Sequence, residues 1–168
     1  INDNYVKGGS DGINAGISYL GKRMNDSVFS MENIRIENNN ITNTTTDGRL
    51  YIDLYEFGYW MNSSSFEMGK ISINDNIIRS GSDGFRIDDI DLFGCYMNDS
   101  SFSMDNIEIC RNKIDAGSDG MYAQSIMDGF GYYMESSTFS MGDFVMNDNE
   151  INADSGSYDG IYIENYIL

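Results

Sequence analysis

The chain has 168 residues, 40% hydrophobic and 13% aromatic, with neither proline nor histidine; this apolar share excludes a disordered polymer. Glycine, serine, asparagine, aspartate and tyrosine are prominent, which suits strands joined by tight turns and not a helical bundle. Ten Lys and Arg stand against 27 Asp and Glu, a formal charge of −17, so phosphate backbones are repelled and nucleic acid is not expected as a partner.

In chain order, the first segment, Ile1 to Leu20, already matches Ile73 to Leu92 column by column. It contains the first of a series of Asp-Gly turns whose aspartates are Asp11, Asp47, Asp83, Asp119 and Asp159, at intervals of 36, 36, 36 and 40. The last interval is longer because Asp154 to Tyr158 carry a short insertion, which a loop tolerates. After each turn come Gly21, Gly58, Gly94 and Gly131, then Met24, Met61, Met97 and Met134. Next are Phe29, Phe66, Phe102 and Phe139, each followed two residues later by Met31, Met68, Met104 and Met141, and then by Ile34, Ile71, Ile107 and Phe144. An asparagine column, Asn4, Asn39, Asn76, Asn112 and Asn149, precedes Val6, Ile41, Ile78, Ile114 and Ile151. The period of 36 to 37 residues divides the chain into a partial repeat 1–26, repeats 27–62, 63–99 and 100–136, and a partial repeat 137–168.

Phe-x-Met, Ile-x-Ile and Asn-x-Ile alternate with period two, so each repeat is expected to be mostly strand. Coiled into rungs and stacked at about 4.8 Å, the repeats put identical residues above one another. The fold class expected is all-β, a parallel β-solenoid of about 4.6 repeats and about 22 Å in height. The asparagine column fits a buried turn whose amides bond to the rungs above and below. In stretches such as Ile73-Asn74-Asp75-Asn76-Ile77-Ile78 and Ser82-Asp83-Gly84-Phe85-Arg86-Ile87 the sequence resembles the parallel β-helix repeat class. That class includes lyases, adhesins, tail spikes and surface-layer proteins, so the resemblance implies a fold and not a function.

Neither end reads as a cap, and uncapped coils expose unpaired backbone groups that invite another copy. The chain opens on Ile1 without a signal peptide or basic leader, as in a processed or fragmentary form. Head-to-tail stacking of identical subunits satisfies both edges and yields a filament or ring. The phases of Ile1 to Leu20 occur five times and those of Gly21 to Ile36 four times, a wedge that favours a hoop over a straight fibre. A squat, acidic solenoid of this composition resembles the tubular sheath proteins of methanogenic archaea. That resemblance implies an extracellular, cell-envelope scaffold with covalent or amyloid-like cross-linking, and a homopolymer whose partner is itself.

No cofactor, metal ligand or catalytic residue is assigned. The Asp-Gly ladder is open to calcium, because stacked carboxylates repel one another, but turn geometry alone explains it and the nonapeptide calcium pattern is absent. Cys95 and Cys110 stand in columns otherwise filled by Tyr59 and Tyr132, and by Glu37, Asn74 and Asn147; a disulfide, with a lean to the intermolecular form, is weighed against buried free thiols. Phe57, Tyr59, Trp60, Phe93, Tyr96, Phe130, Tyr132 and Tyr133 form an aromatic stripe of which one alternate set points outward. Asn25, Asn40, Asn43, Asn62 and Asn98 begin sequons, so glycans are a conceivable addition. Asp88, Asp89 and Asp91 fall outside the repeat pattern and read as a solvated acidic face. An enzyme, a polysaccharide lyase or hydrolase, would need an irregular constellation in a groove with long walls, and the repeats differ by only a few residues. A surface adhesin or carbohydrate-binding module is the alternative to the scaffold. No apolar run approaches a membrane span, so membrane insertion is not expected.

Overall fold

A strand of alternating apolar and polar residues buries one face, and a coil of such strands buries all its inward faces at once. The computed structural model describes residues 1, 5–7, 13–42, 49–81, 84–117, 120–124, 126–153 and 161–164, with the backbone alone at 5–7 and 161–164. Among these residues there is no helix, and parallel strands wind through about four turns of a β-solenoid.

The first coil runs β1 (Tyr5–Lys7), β2 (Ile13–Ser18), β3 (Met24–Asn25), β4 (Val28–Met31) and β5 (Ile34–Glu37). The second runs β6 (Asn40–Thr42), β7 (Leu50–Tyr55), β8 (Met61–Asn62), β9 (Ser65–Met68) and β10 (Ile71–Asn74). The third runs β11 (Ile77–Ser80), β12 (Phe85–Asp91), β13 (Met97–Asn98), β14 (Ser101–Met104) and β15 (Ile107–Cys110). The fourth runs β16 (Lys113–Ala116), β17 (Met121–Gln124), β18 (Met134–Glu135), β19 (Thr138–Met141) and β20 (Phe144–Asn147), and β21 (Glu150–Ala153) and β22 (Ile161–Glu164) begin another.

Stacking these coils makes five parallel sheets. Two have five strands, β1-β6-β11-β16-β21 and β2-β7-β12-β17-β22, and three have four, starting from β3, β4 and β5. Register is like on like: Phe102 pairs with Phe66 and Phe139, Met97 with Met61 and Met134, and Ile71 with Ile34 and Ile107. The phenylalanine column Phe29–Phe66–Phe102–Phe139 stacks at centroid spacings of 4.8, 4.9 and 5.1 Å with rings within 11° of parallel. A second inward column, Phe57–Phe93–Phe130, stacks at 4.5 and 4.7 Å. Each stacked ring contributes both buried area and about 0.5–1.5 kcal/mol of ring–ring attraction.

The corners turn on columns of left-handed residues. Arg23, Trp60, Tyr96 and Tyr133 all have φ between 53° and 63°, and Asn38, Asp75, Arg111 and Asp148 lie between 55° and 57°. For a non-glycine residue this conformation costs about 1 kcal/mol, which the rung-to-rung bonds from Trp60 N to Cys95 O (2.9 Å) and Tyr96 N to Tyr132 O (2.8 Å) offset. At Gly58 (φ +60°) the space is also required: a Cβ there would lie 2.7 Å from the ring of Phe102 on the next coil. Glycine is therefore a seat for that ring.

The asparagine column is a continuous buried ladder. Asn39 Nδ2 donates to Asn76 Oδ1 (2.8 Å), Asn76 Nδ2 to Asn112 Oδ1 (2.9 Å) and Asn112 Nδ2 to Asn149 Oδ1 (3.0 Å). The same oxygens accept the backbone N–H of the preceding coil's asparagine at 3.0–3.1 Å. The amide nitrogens of Asn76 and Asn112 donate again, to the Ile36 and Ile73 carbonyls, and that of Asn149 donates to the Ile109 carbonyl. Asn4, at the start of this column, and all five Asp-Gly aspartates, Asp11, Asp47, Asp83, Asp119 and Asp159, lie outside the described residues. A break in the middle of the ladder disturbs several buried groups at once: Asn76→Ala leaves the Asn39 N–H without its acceptor, takes the side-chain donor from the Ile36 carbonyl, and removes one of the two donors to Asn112 Oδ1, which keeps the Asn76 backbone N–H. Urea unfolding should show a loss of about 3 kcal/mol, whereas the exposed Asn152→Ala should cost less than about 0.5 kcal/mol.

Candidate functional site

Three features depart from a uniform, self-satisfied solenoid. The first is the pair of outer coils. In the third coil Phe102, Met104, Ile107 and Ile109 are between 0% and 5% exposed, but in the fourth coil their column mates Phe139, Met141, Phe144 and Met146 are only partly buried. Among the described residues, strands β18, β19 and β20 each have a neighbour on one side only. At the opposite edge β3, β4 and β5 are likewise outermost, with Val28 81% exposed and Phe29 and Met31 partly exposed. Outermost strands with apolar columns are surfaces that template further strands.

The second is an aromatic corner. Alternation splits the stripe as geometry requires: Phe57 and Phe93 are fully enclosed, while Trp60, Tyr96, Tyr132 and Tyr133 are 51%, 39%, 45% and 62% exposed. Arg23 lies over the Trp60 ring at 5.6 Å, Trp60 meets Tyr96 at 6.0 Å, and Tyr96 stacks on Tyr133 at 5.1 Å. Trp60 and Tyr96 meet edge to face, whereas Tyr96 and Tyr133 stack. Lys22 sits over Tyr19 (4.1 Å) and pairs with Glu56 of the next coil.

The third is an acidic bulge. Register slips in β12, where Ile87 pairs with Ile52 but Asp89 pairs with Asp53, leaving Asp88 as the extra residue. Such bulges re-aim side chains. Asp88 accepts the Tyr51 hydroxyl (2.6 Å) and pairs with Arg86, and burial together with the Asp88 contact pushes the Tyr51 phenol up to about 12. Asp91 corrects the expectation of a solvated acidic face: it is only partly exposed, and its Oδ1 is buried without a hydrogen-bond partner. Burial, then the nearby carboxylates Asp89, Asp128, Asp53 and Glu56, raise Asp91 to about 7. Sequence reading missed this because the extra residue changes the offset between coils by one only, from 35 (Leu50 to Phe85) to 36 (Leu54 to Ile90), no more than the repeats themselves vary.

The cysteines are free thiols in this structure, and Cys95 is wholly enclosed, so an interchain disulfide finds no exposed sulfur there. Its thiol lies 2.7 Å from the Gly129 carbonyl, and burial pushes its pKa up to about 12. Cys110, at the end of β15, is also buried. Of the sequon asparagines, Asn62 and Asn98 use Nδ2 to bond Asn25 and Asn62 across coils (2.7 and 2.8 Å), so a glycan at either nitrogen replaces a ladder bond. Among the described residues no group of three or more Cys, Asp or Glu is placed to hold a metal ion, and no helix is long and apolar enough to cross a membrane.

In-register parallel rungs with side-chain ladders define the chain as a β-solenoid protein. No protein-family model matches it, and no curated protein or solved structure matches it significantly.

Because Asp91 in the folded chain binds its proton more tightly than an unfolded aspartate, its contribution to stability is complete below about pH 4 and is lost as pH rises through 7. Asp91→Asn should therefore raise stability at pH 8 by about 1–2 kcal/mol after solvent screening is allowed for, and should flatten the pH dependence of urea midpoints between about pH 4 and 7. For the thiols, a maleimide should label neither cysteine within minutes in native buffer and both in concentrated urea.

Proposed function

We propose that the chain is a structural, non-enzymatic building block that polymerises by adding the coils of another copy to its outer strands. The observation carrying this reading is the change in burial of one set of columns, enclosed in the third coil and partly exposed in the fourth. A further coil with the same residues in the same register would bury them as the interior coils do. At about 25 cal/mol per Å² of apolar surface removed from water, that burial favours association.

A unit of this length would favour a curved product: among the described residues two sheets contain five strands and three contain four, so a stack of such units is thicker on one side by one strand and bends into a hoop. Net charge of −17 keeps separate polymers apart while edges associate. An extracellular cell-envelope sheath of the kind found in methanogenic archaea is the setting this architecture suits, on resemblance of composition and shape.

A surface-binding module is the second reading, favoured by the outward rings Trp60, Tyr96, Tyr132 and Tyr133. Negative-stain electron microscopy and light scattering of the purified chain separate the two. Hoops, tubes or filaments are expected, with no change on adding reductant because the thiols are free; a monomer of 18.9 kDa that persists at high concentration overturns self-assembly in favour of surface binding.

A further inference from the structure

The two outer coils are not equivalent in charge. Residues 13–42 hold three cations, Lys22, Arg23 and Arg35, against three acids, Asp26, Glu32 and Glu37. Residues 127–153 hold five carboxylates, Asp128, Glu135, Asp143, Asp148 and Glu150, and neither Lys nor Arg; of these Glu150 is paired with Lys113 of β16, which leaves four carboxylates without that cation. The opposite ends of the stack are thus electrostatically distinct.

Their columns also end differently. The outward corner column begins with the Arg23 guanidinium over Trp60 and ends on Tyr133, the most exposed of the corner rings, with no ring of a further coil upon it among the described residues. Beside it, each asparagine amide donates to the oxygen of the preceding coil, Asn62 to Asn25 and Asn98 to Asn62. The column then ends on Glu135, an acceptor with charge. A cation reaching back to the preceding coil's carboxylate has a precedent in the chain: Arg111 bonds Asp75 through Nε and Nη2, both at 2.9 Å. Inside, Gly21, Gly58 and Gly94 seat the rings of Phe66, Phe102 and Phe139 on the next coil. Gly131, with φ +64°, repeats that seat, and the nearest atoms to its missing Cβ belong to its own coil.

We propose that these ends are complementary, so that a second copy docks head to tail with its Arg23 over Tyr133 and beside Glu135, and its Phe29 ring on Phe139 against Gly131. This rests on the self-assembly reading and adds to it a direction and a chemistry. The contact is polar because the alternatives are repulsive: like ends would bring Arg23 towards Arg23 or Glu135 towards Glu135. The Arg23–Tyr133 and Phe29–Phe139 contacts continue columns already present in the chain, and Glu135, two residues along from Tyr133, heads the neighbouring column whose next member is Asn25 of the docked copy, within reach of Arg23.

Charge reversal tests the docking without touching the core, since Arg23 and Glu135 are both exposed. Arg23→Glu faces Glu135 with a carboxylate, and Glu135→Arg faces Arg23 with a cation, so each variant alone should raise the concentration needed for assembly about tenfold. Mixed in equal amounts, the two variants make both kinds of contact attractive as an alternating copolymer, and assembly should return to within about twofold of the unaltered chain. Circular dichroism and urea midpoints check that each variant folds; should one fail, the neutral Arg23→Gln and Glu135→Gln should each still raise the concentration needed for assembly about threefold at fixed salt. Variants that assemble like the unaltered chain, or a mixture that does not recover, would overturn this docking while leaving self-assembly standing. Failure of the unaltered chain to assemble would overturn both.

Discussion

A parallel rung cannot satisfy its own backbone: every N–H and C=O along it must be met by the rung above or below. The remaining features of the structure depend on that constraint. Because each coil leans on its neighbours in register, a residue that suits a position once suits it in every coil, and the columns of Phe, Met, Ile and Asn are the record. The asparagine ladder shows the reciprocity most completely, with each central side chain both donating and accepting across coils in a site closed to water. In so dry an environment an unmet amide is expensive, so the ladder resists a slip of one residue, which would also turn the apolar face outward.

The repeat, the parallel stacking and the all-β class were legible in the sequence because identical residues recur at one spacing, and stacking is the arrangement in which that recurrence matters. The asparagine column was legible for the same reason. The corners were not. Leu92, Trp60 and Tyr96 occupy left-handed backbone, where sequence rules look for glycine or asparagine; tertiary bonding between coils overrides the local preference. Nor could the direction of the aromatics be read off, since alternation says that neighbours diverge without saying which enters the core. Phe57 goes in and Trp60 out because the turn through Gly58 intervenes.

The bulge at Asp88 illustrates the limit of a periodic reading. One added residue between Ile87 and Asp89 changes what the sheet presents, yet the columns on either side keep their places. The result is a partly buried carboxyl, Asp91, among other carboxylates, in a fold whose remaining polar groups are largely paired within columns. The cysteines follow a related logic: standing outside the ladders, they were open to a pairing role, and the coil encloses them as small apolar side chains instead.

What unites the outer strands, the charge difference between them and the Gly131 seat is that, under the proposed assembly, each would continue a column past the fourth coil. Amide hydrogen exchange, compared between dilute and assembled chain, addresses that continuity most directly. The account predicts that β18, β19 and β20 exchange much faster than β13, β14 and β15 in dilute solution and become as slow as them on assembly. Assembled material in which β18 to β20 still exchange freely would contradict it, because the polymer would then be held together by surfaces other than the strand edges.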